Sequence, residues 1–305
     1  MLPRVKVLMS AYNGEKYIVQ QIDSILNQKD VEISLIIRDD SSTDNTLEVL
    51  SNYESNPYIE IIKGKNIGCG NSFMEMLYNC GDADYFALAD QDDLWFPEKL
   101  IMAIKKIENY ADKPVLYTSN QTITDEFLQI KGLRYQDSPK FELDDIIMGN
   151  NLAGCTFVIN RKLKELLTSY ERRPSPDFLR IRIHDAWICA FSKCVGEVVY
   201  DCNSYMLYRQ HSNNVVGVRK IRTTEIVRNY LKSSYWEKHY RLLMASELTN
   251  KTARLSMQKG TKEILLLFKN TNTYSGRIDF IKKYKKITGK EIGLLLRIKV
   301  LMGAL

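Results

Sequence analysis

Tyr85-Phe86-Ala87-Leu88-Ala89-Asp90-Gln91-Asp92-Asp93-Leu94-Trp95 runs from an apolar stretch straight into three carboxylates within four residues. A short apolar run that stops at polar turn residues predicts a buried strand. Carboxylates crowded at its end repel one another unless a cation or hydrogen bonds offset the charge. Oxygen ligands of this kind suit a hard divalent ion, Mg²⁺ or Mn²⁺, which commonly bridges protein carboxylates to a substrate phosphate. The same residues also read as a polar turn capping the helix that opens near Pro97.

Working back toward the N-terminus, the pattern repeats. Val5 to Met9 reads as a strand that ends in Ser10-Ala11-Tyr12-Asn13, and Asn13 is placed to cap a helix carrying Tyr17, Ile18, Ile22, Ile25 and Leu26 at helical spacing. Ile33 to Ile37 is a second strand, ending in Arg38-Asp39-Asp40-Ser41-Ser42-Thr43-Asp44 before a helix with Leu47 and Leu50. Asp44 reads as a helix cap. A strand over Tyr58 to Ile62 and a helix around Phe73, Met76 and Leu77 complete an alternation that implies a parallel sheet with crossover helices. In such sheets ligands bind beyond the carboxyl ends of the strands, so three polar clusters on one edge point to a site.

Working forward, the pattern is mixed from Val115 to Tyr208. Val115 to Tyr117, Thr156 to Ile159, Gly196 to Asp201 and Tyr205 to Tyr208 read as strands, and Arg161 to Tyr170 and Asp185 to Cys194 as helices. Segments 131–150 and 172–183 show no readable pattern. After Gly217 the chain becomes helical, which sets an expected boundary between a catalytic domain, 1–217, and a C-terminal extension, 218–305.

The 305 residues, 45% hydrophobic and 26% charged, suit one sizeable α/β domain with an appendage and exclude disorder, collagen and a disulfide-stapled scaffold. Six cysteines without a CxxC pair or zinc-finger spacing predict reduced, mostly buried thiols. No run of 18 apolar residues and no signal-peptide pattern is present, so a cytoplasmic protein is expected. Gly64-Lys65-Asn66-Ile67-Gly68-Cys69-Gly70 fits neither GxGxxG nor GxxxxGK[ST], which argues against a dinucleotide oxidoreductase and a P-loop NTPase. The net charge of +6 hides a division: residues 219–305 hold 20 basic and 6 acidic side chains, and residues 1–218 hold 23 and 31. The basic third interleaves lysines with apolar helical residues, a composition that suits a membrane interface, packing on the catalytic domain, or a second subunit. It carries no nucleic-acid-binding motif.

Val7-Leu-Met-Ser-Ala-Tyr-Asn-Gly14, Arg38-Asp-Asp-Ser-Ser-Thr-Asp-Asn-Thr46, Asn66-Ile-Gly68 and Ala89-Asp-Gln-Asp-Asp-Leu-Trp95, in that order and spacing, resemble glycosyltransferase family 2. Together with Tyr208-Arg-Gln-His-Ser-Asn-Asn214, they are most similar to bacterial rhamnosyltransferase-like members. The resemblance spans roughly residues 3–217. It implies a GT-A fold, a Rossmann-like nucleotide-diphospho-sugar transferase domain, and inversion at the anomeric carbon of a dTDP- or UDP-sugar.

Carried onto this chain, the resemblance implies that Ala11, Tyr12, Asn13, Asp40, Asp90 and Gln91 contact the nucleotide, with Asp40 accepting from the imide N–H of uracil or thymine. Asp92 and His211 hold the metal, with Asp93 an additional candidate, and Asp185 is the general base. Arg209 is a candidate for the diphosphate, His184 for a supporting or packing role, and Trp95 and Trp187 for pocket wall or core. The acceptor is a glycan or lipid-linked precursor, met at the cytoplasmic face of the cell membrane through the C-terminal helices, and a homo-oligomer is an open possibility. A Gln-x-x-Arg-Trp element of polymer-forming members is missing, which favours limited additions. A nucleotidyltransferase, which would need a glycine- and basic-rich N-terminal signature, and a binding scaffold without turnover are the competing readings.

Overall fold

A computed structural model of the chain describes residues 1–181, 183–211 and 240–303. The elements run β1 (Arg4–Ala11), α1 (Ile18–Leu26), β2 (Glu32–Asp39), α2 (Thr46–Ser51), β3 (Ile59–Lys63), α3 (Cys69–Asn79), β4 (Tyr85–Asp90), β5 (Leu94–Trp95) and α4 (Lys99–Ile107). They continue with β6 (Val115–Thr124), β7 (Ile130–Leu133), α5 (Leu143–Met148), β8 (Val158–Asn160), α6 (Arg161–Thr168), α7 (Pro176–Ile181), α8 (His184–Val195) and β9 (Glu197–Arg209). Four C-terminal helices follow: α9 (Tyr240–Thr252), α10 (Thr261–Lys269), α11 (Tyr274–Thr288) and α12 (Leu294–Leu301).

The strands form one sheet in the order β3-β2-β1-β4-β8-β6-β9-β5, with β7 beside β6. β1 to β4 are parallel, as the alternation predicts. β8 then enters antiparallel to both β4 and β6, which is where the simple pattern ends. The two late strands of the sequence reading are one strand, β9, whose register against β6 shifts between Asp201 and Ser204, in the gap between them.

Strand side chains alternate between faces, so each strand feeds two cores. Val7, Met9, Leu35, Ile37, Ala87 and Ala89 pack with Ile18, Ile22 and Ile25 of α1 and Leu100 and Ile104 of α4. Their neighbours Leu8, Ile36, Phe86 and Leu88 pack on the other face with α3 and α8. That second core continues without a break into Met244, Leu248, Phe268, Phe280 and Tyr284, so the C-terminal helices are part of it. A buried polar contact reinforces the junction: the Tyr284 hydroxyl donates to Asp144 at 2.8 Å, and Lys290 Nζ reaches Asp144 at 2.8 Å and Asp145 at 2.6 Å. The expected boundary at residue 217 lies outside the described residues.

β5, β7, α5 and α7 have no counterpart in the sequence reading: they are two to six residues long, too short for a periodic signal. α5 carries a local marker all the same, a capping box between Glu142 and Asp145. Asn13 does not cap α1. Its backbone is left-handed, with φ of 51°, and its side-chain oxygen accepts instead from the Thr43 amide across the sheet edge.

Candidate active site

The ends of β1, β2 and β4 open into a cavity of about 770 Å³, within the range of small-molecule sites. Tyr12, Asn13, Asp40, Asp90, Gln91, Asp92, His184, Asp185 and His211 all line it. The parallel order β2-β1-β4 sets three sequence-distant turns side by side.

At one end the polar groups are already engaged. Gln91 accepts from the Tyr12 amide and donates to the Tyr12 carbonyl, both at 2.9 Å, tying the β1 turn to the β4 turn. Gly14 makes this approach possible, because a Cβ there would lie 2.3 Å from Gln91 Oε1. Asp40 is buried; it pairs with Arg38 and accepts from the amides of Ile67 at 3.0 Å and Gly68 at 2.9 Å. Three donors fill three of a carboxylate's roughly four acceptor positions, so one remains on the cavity side for a ligand. Asp44 is not the cap expected of it: Asn45 holds the N-cap position of α2, and Asp44, one residue earlier, accepts from the Thr46 amide at 3.0 Å.

Beyond this end lies the acidic cluster. His211 Nε2 and Asp92 Oδ2 are 2.7 Å apart at the cavity wall, which joins two residues 119 positions apart. Burial, with Asp92 and Asp185 nearby, raises the Asp90 carboxyl to about 7. Asp93 is fully buried behind it, its carboxyl pushed well up by burial and by Asp92 and Asp90. Among the described residues, oxygens of Asp90 and Asp93 and the Cys155 sulfur also lie within 4.8 Å of one another. Burial raises that thiol far above its ordinary range, and a protonated thiol does not suit a hard ion. Asp92 and His211 put a carboxylate and an imidazole side by side on the cavity, donor types that a divalent ion accepts, and a cation there would offset the crowding of carboxyls that adds to burial in raising Asp90.

At the far end α8 begins. Asp185 sits in its first turn, where a carboxylate is favoured by the helix dipole, and accepts from the Ala186 amide at 2.6 Å. His184 is buried, its ring 4.1 Å from that of Phe73, and burial holds its protonation down at about 3, so it is neutral. Arg182, two residues before His184, lies outside the described residues, as do Ser212 to Asn214.

Several expectations need correction. Trp95 and Trp187 are not cavity walls: both are fully buried, Trp95 against α1 and α4 and Trp187 between Phe178 and Phe191. Ala11 is buried one residue behind the cavity, and Asp93 does not reach it. Arg209, the diphosphate candidate, does not line the cavity: it donates to the carbonyls of Asp92 and Glu126 and to Gln20 and lies over the Tyr17 ring, which braces the Asp92 turn.

Other lining residues were missed. Cys69, read as one more inert thiol, lines the cavity in the field of Asp90, Asp185, Asp40 and Asp92, which with burial raise its thiol. Phe73, Gly154 and Arg134 also line it. No motif marks them; the strand-end logic that found the aspartates does not extend to a helix turn or an irregular segment.

Residues 6–167 match the profile of Glycosyl transferase family 2. The chain is 31% identical to dTDP-rhamnosyl transferase RfbG of Shigella flexneri over 246 residues, covering 72% of this chain and 79% of that protein. It is 32% identical to chondroitin synthase of Escherichia coli over 126 residues, which cover only 18% of that longer protein. The fold matches S. aureus TarS 1-349 in complex with UDP-GlcNAc at a TM-score of 0.63 and 14% identity, covering 99% of this chain and 89% of that one. The chain belongs to glycosyltransferase family 2, and its mixed α/β architecture is GT-A-like.

Proposed function

We propose that this family 2 enzyme is an inverting, metal-dependent glycosyltransferase that moves L-rhamnose from dTDP-rhamnose to a hydroxyl of a cell-surface polysaccharide or lipid-linked glycan precursor. The observation that carries the reading is the presence of Asp185 and the Asp92–His211 pair on one cavity. The preference for rhamnose rests on the likeness to the Shigella flexneri rhamnosyl transferase. A UDP-hexose is the second reading, because a carboxylate at Asp40 accepts equally from the imide N–H of uracil and of thymine.

In this mechanism Asp40 and the Tyr12–Asn13 turn would hold the nucleobase, and Asp92 and His211 would hold the ion. When bound, the ion neutralises charge on the diphosphate. Asp185 takes the proton of the acceptor hydroxyl as that oxygen attacks the anomeric carbon from the face opposite the nucleotide. One displacement inverts the centre, and no protein nucleophile is required.

The acceptor would be met at a membrane surface. No helix among the described residues is long and apolar enough to cross a membrane. α12, however, exposes Leu294, Leu295, Ile298 and Leu301, which at 100° per residue fall on one continuous arc beside Arg297, and Met302 is exposed just past its end. Residues 240–303 hold 14 basic and 4 acidic side chains, a charge that attracts anionic lipid and repels a second copy. Sedimentation with vesicles containing phosphatidylglycerol, and not with phosphatidylcholine alone, is the expected result; Leu294→Glu with Ile298→Glu should abolish it.

The activity is tested with purified protein, Mn²⁺ or Mg²⁺, and a panel of dTDP-, UDP- and GDP-sugars, following release of nucleotide diphosphate with and without chelator. Chelator-sensitive release from one donor is expected. Silence together with no nucleotide binding would overturn the reading.

A further inference from the structure

His184 is the buried polar side chain of the cavity that the mechanism leaves unused. Neither ring nitrogen has a hydrogen-bond partner among the described residues, although the side chain is 3% exposed and lines the cavity. The imidazole is wedged between Phe73 and Gly154; a Cβ on Gly154 would lie 2.6 Å from Nε2 and 3.2 Å from Asp185 Cβ. Nearly all buried polar atoms in folded proteins are satisfied, so a ring with two buried, unpartnered nitrogens at a cavity wall marks a place where a ligand that displaces the wall slightly completes the bonding.

The chemistry of the ring narrows the ligand. A neutral imidazole offers one donor and one acceptor, which complements a hydroxyl and mismatches a phosphate or carboxylate, both acceptors only. The position narrows it further. Phe73 and Cys69 lie on α3, and the turn leading into α3 is held by Asp40 through Ile67 and Gly68. The wall formed by α3 and the start of α8 therefore extends from the nucleotide end of the cavity toward Asp185. The group lying along it is the one between the diphosphate and the base.

We propose that His184 binds a hydroxyl of the transferred sugar, with Gly154 kept small so that the imidazole can hold that position. The inference rests on the donor reading above and deepens it by assigning a sugar-recognition residue.

The test separates nucleotide from sugar. Metal-loaded wild type, His184→Phe, His184→Gln and Gly154→Ala are titrated calorimetrically with dTDP and dTDP-rhamnose, and with UDP and UDP-GlcNAc. In His184→Phe, affinity for the nucleotide diphosphate should stay within about twofold of wild type, while the extra affinity contributed by the sugar falls about tenfold. His184→Gln, whose amide both donates and accepts, should retain part of it, and Gly154→Ala should lose it with the histidine intact. A singly deoxygenated donor should bind wild type as weakly as the complete donor binds His184→Phe, a comparison that holds even if one variant folds poorly. Full retention of the sugar increment in His184→Phe, or equal loss for nucleotide and nucleotide sugar, would overturn the proposal. Wild type that binds neither nucleotide would overturn the donor reading itself, a pattern distinct from either.

Discussion

The two ends of the cavity are built differently. Around Asp40, Gln91 and Asn13, side chains and backbone amides from three turns already satisfy one another. Around Asp90 and His184 the structure buries one carboxyl whose protonation is raised to about 7 and one imidazole with no partner among the described residues. The first end is organised before any ligand arrives, and rigidity there lowers the entropic cost of binding a nucleotide. The second end holds a raised carboxyl and an unpartnered imidazole, whose burial a bound ligand would help to compensate.

If that contrast is right, damage to the far end should remove chemistry and leave nucleotide binding intact. Asp185→Asn is expected to lower turnover by about 10²- to 10⁴-fold with the nucleotide dissociation constant unchanged. Unchanged turnover would remove Asp185 from the mechanism. Between the ends, Asp92→Asn or His211→Ala should weaken Mn²⁺ binding by at least about a hundredfold, measured by titration of the nucleotide-bound protein. Equal Mn²⁺ affinity in both variants would move the ion to another donor set.

Acid sharpens the comparison in a second way. The unfolded chain takes up a proton on histidine near 6.5, but folded His184 does so only near 3. Its contribution to stability is therefore complete above 6.5 and is lost as pH falls from there toward 3. At pH 5 the loss amounts to about 2 kcal/mol. Asp90 acts with the opposite sign, since its raised carboxyl holds a proton in the folded state up to about 7. The quantity to measure is the difference between wild type and His184→Phe in chemical denaturation at pH 7 and pH 5. The variant should be spared the 2 kcal/mol, and parallel behaviour of the two proteins would show that His184 is solvated.

The smallest effect belongs to the prebuilt end. Gln91→Ala removes two hydrogen bonds that fix the Tyr12 turn, and should cost about 1–2 kcal/mol in stability with a comparable loss in nucleotide affinity. A large fall in turnover at saturating donor would place Gln91 in the chemistry instead and blur the contrast.

The turns at the strand ends were the legible part of the site. Asp40, Asp90 and Asp92 each follow an apolar run in the chain, so strand and ligand-bearing turn are adjacent in sequence and one pattern reveals both. Asp185 and His211 came from resemblance, without which an aspartate opening a helix and a histidine after a strand read as ordinary structure. The opposite wall was silent. Cys69 and Phe73 lie in a helix whose periodicity assigns Phe73 to the core, and Gly154 opens a three-residue 3₁₀ turn, Gly154–Thr156, too short to leave a pattern. The tryptophans stayed open between pocket wall and core for the same reason, since a large aromatic beside a motif looks the same in sequence whether it faces the ligand or the core; the structure puts both in the core.

What the sequence by itself determined is local: alternating apolar runs, turn residues and helical spacing set β1 to β4, their helices and the carboxylates at their ends, because each depends on neighbours within a few residues. The tertiary structure alone decided the rest. β8 inserts antiparallel between β4 and β6, delivering the turn that contains Gly154 to α8 and the cavity, and the register of β9 against β6 carries His211 back to Asp92. Sheet order and register depend on packing between segments a hundred residues apart, for which no short window of sequence holds the signal.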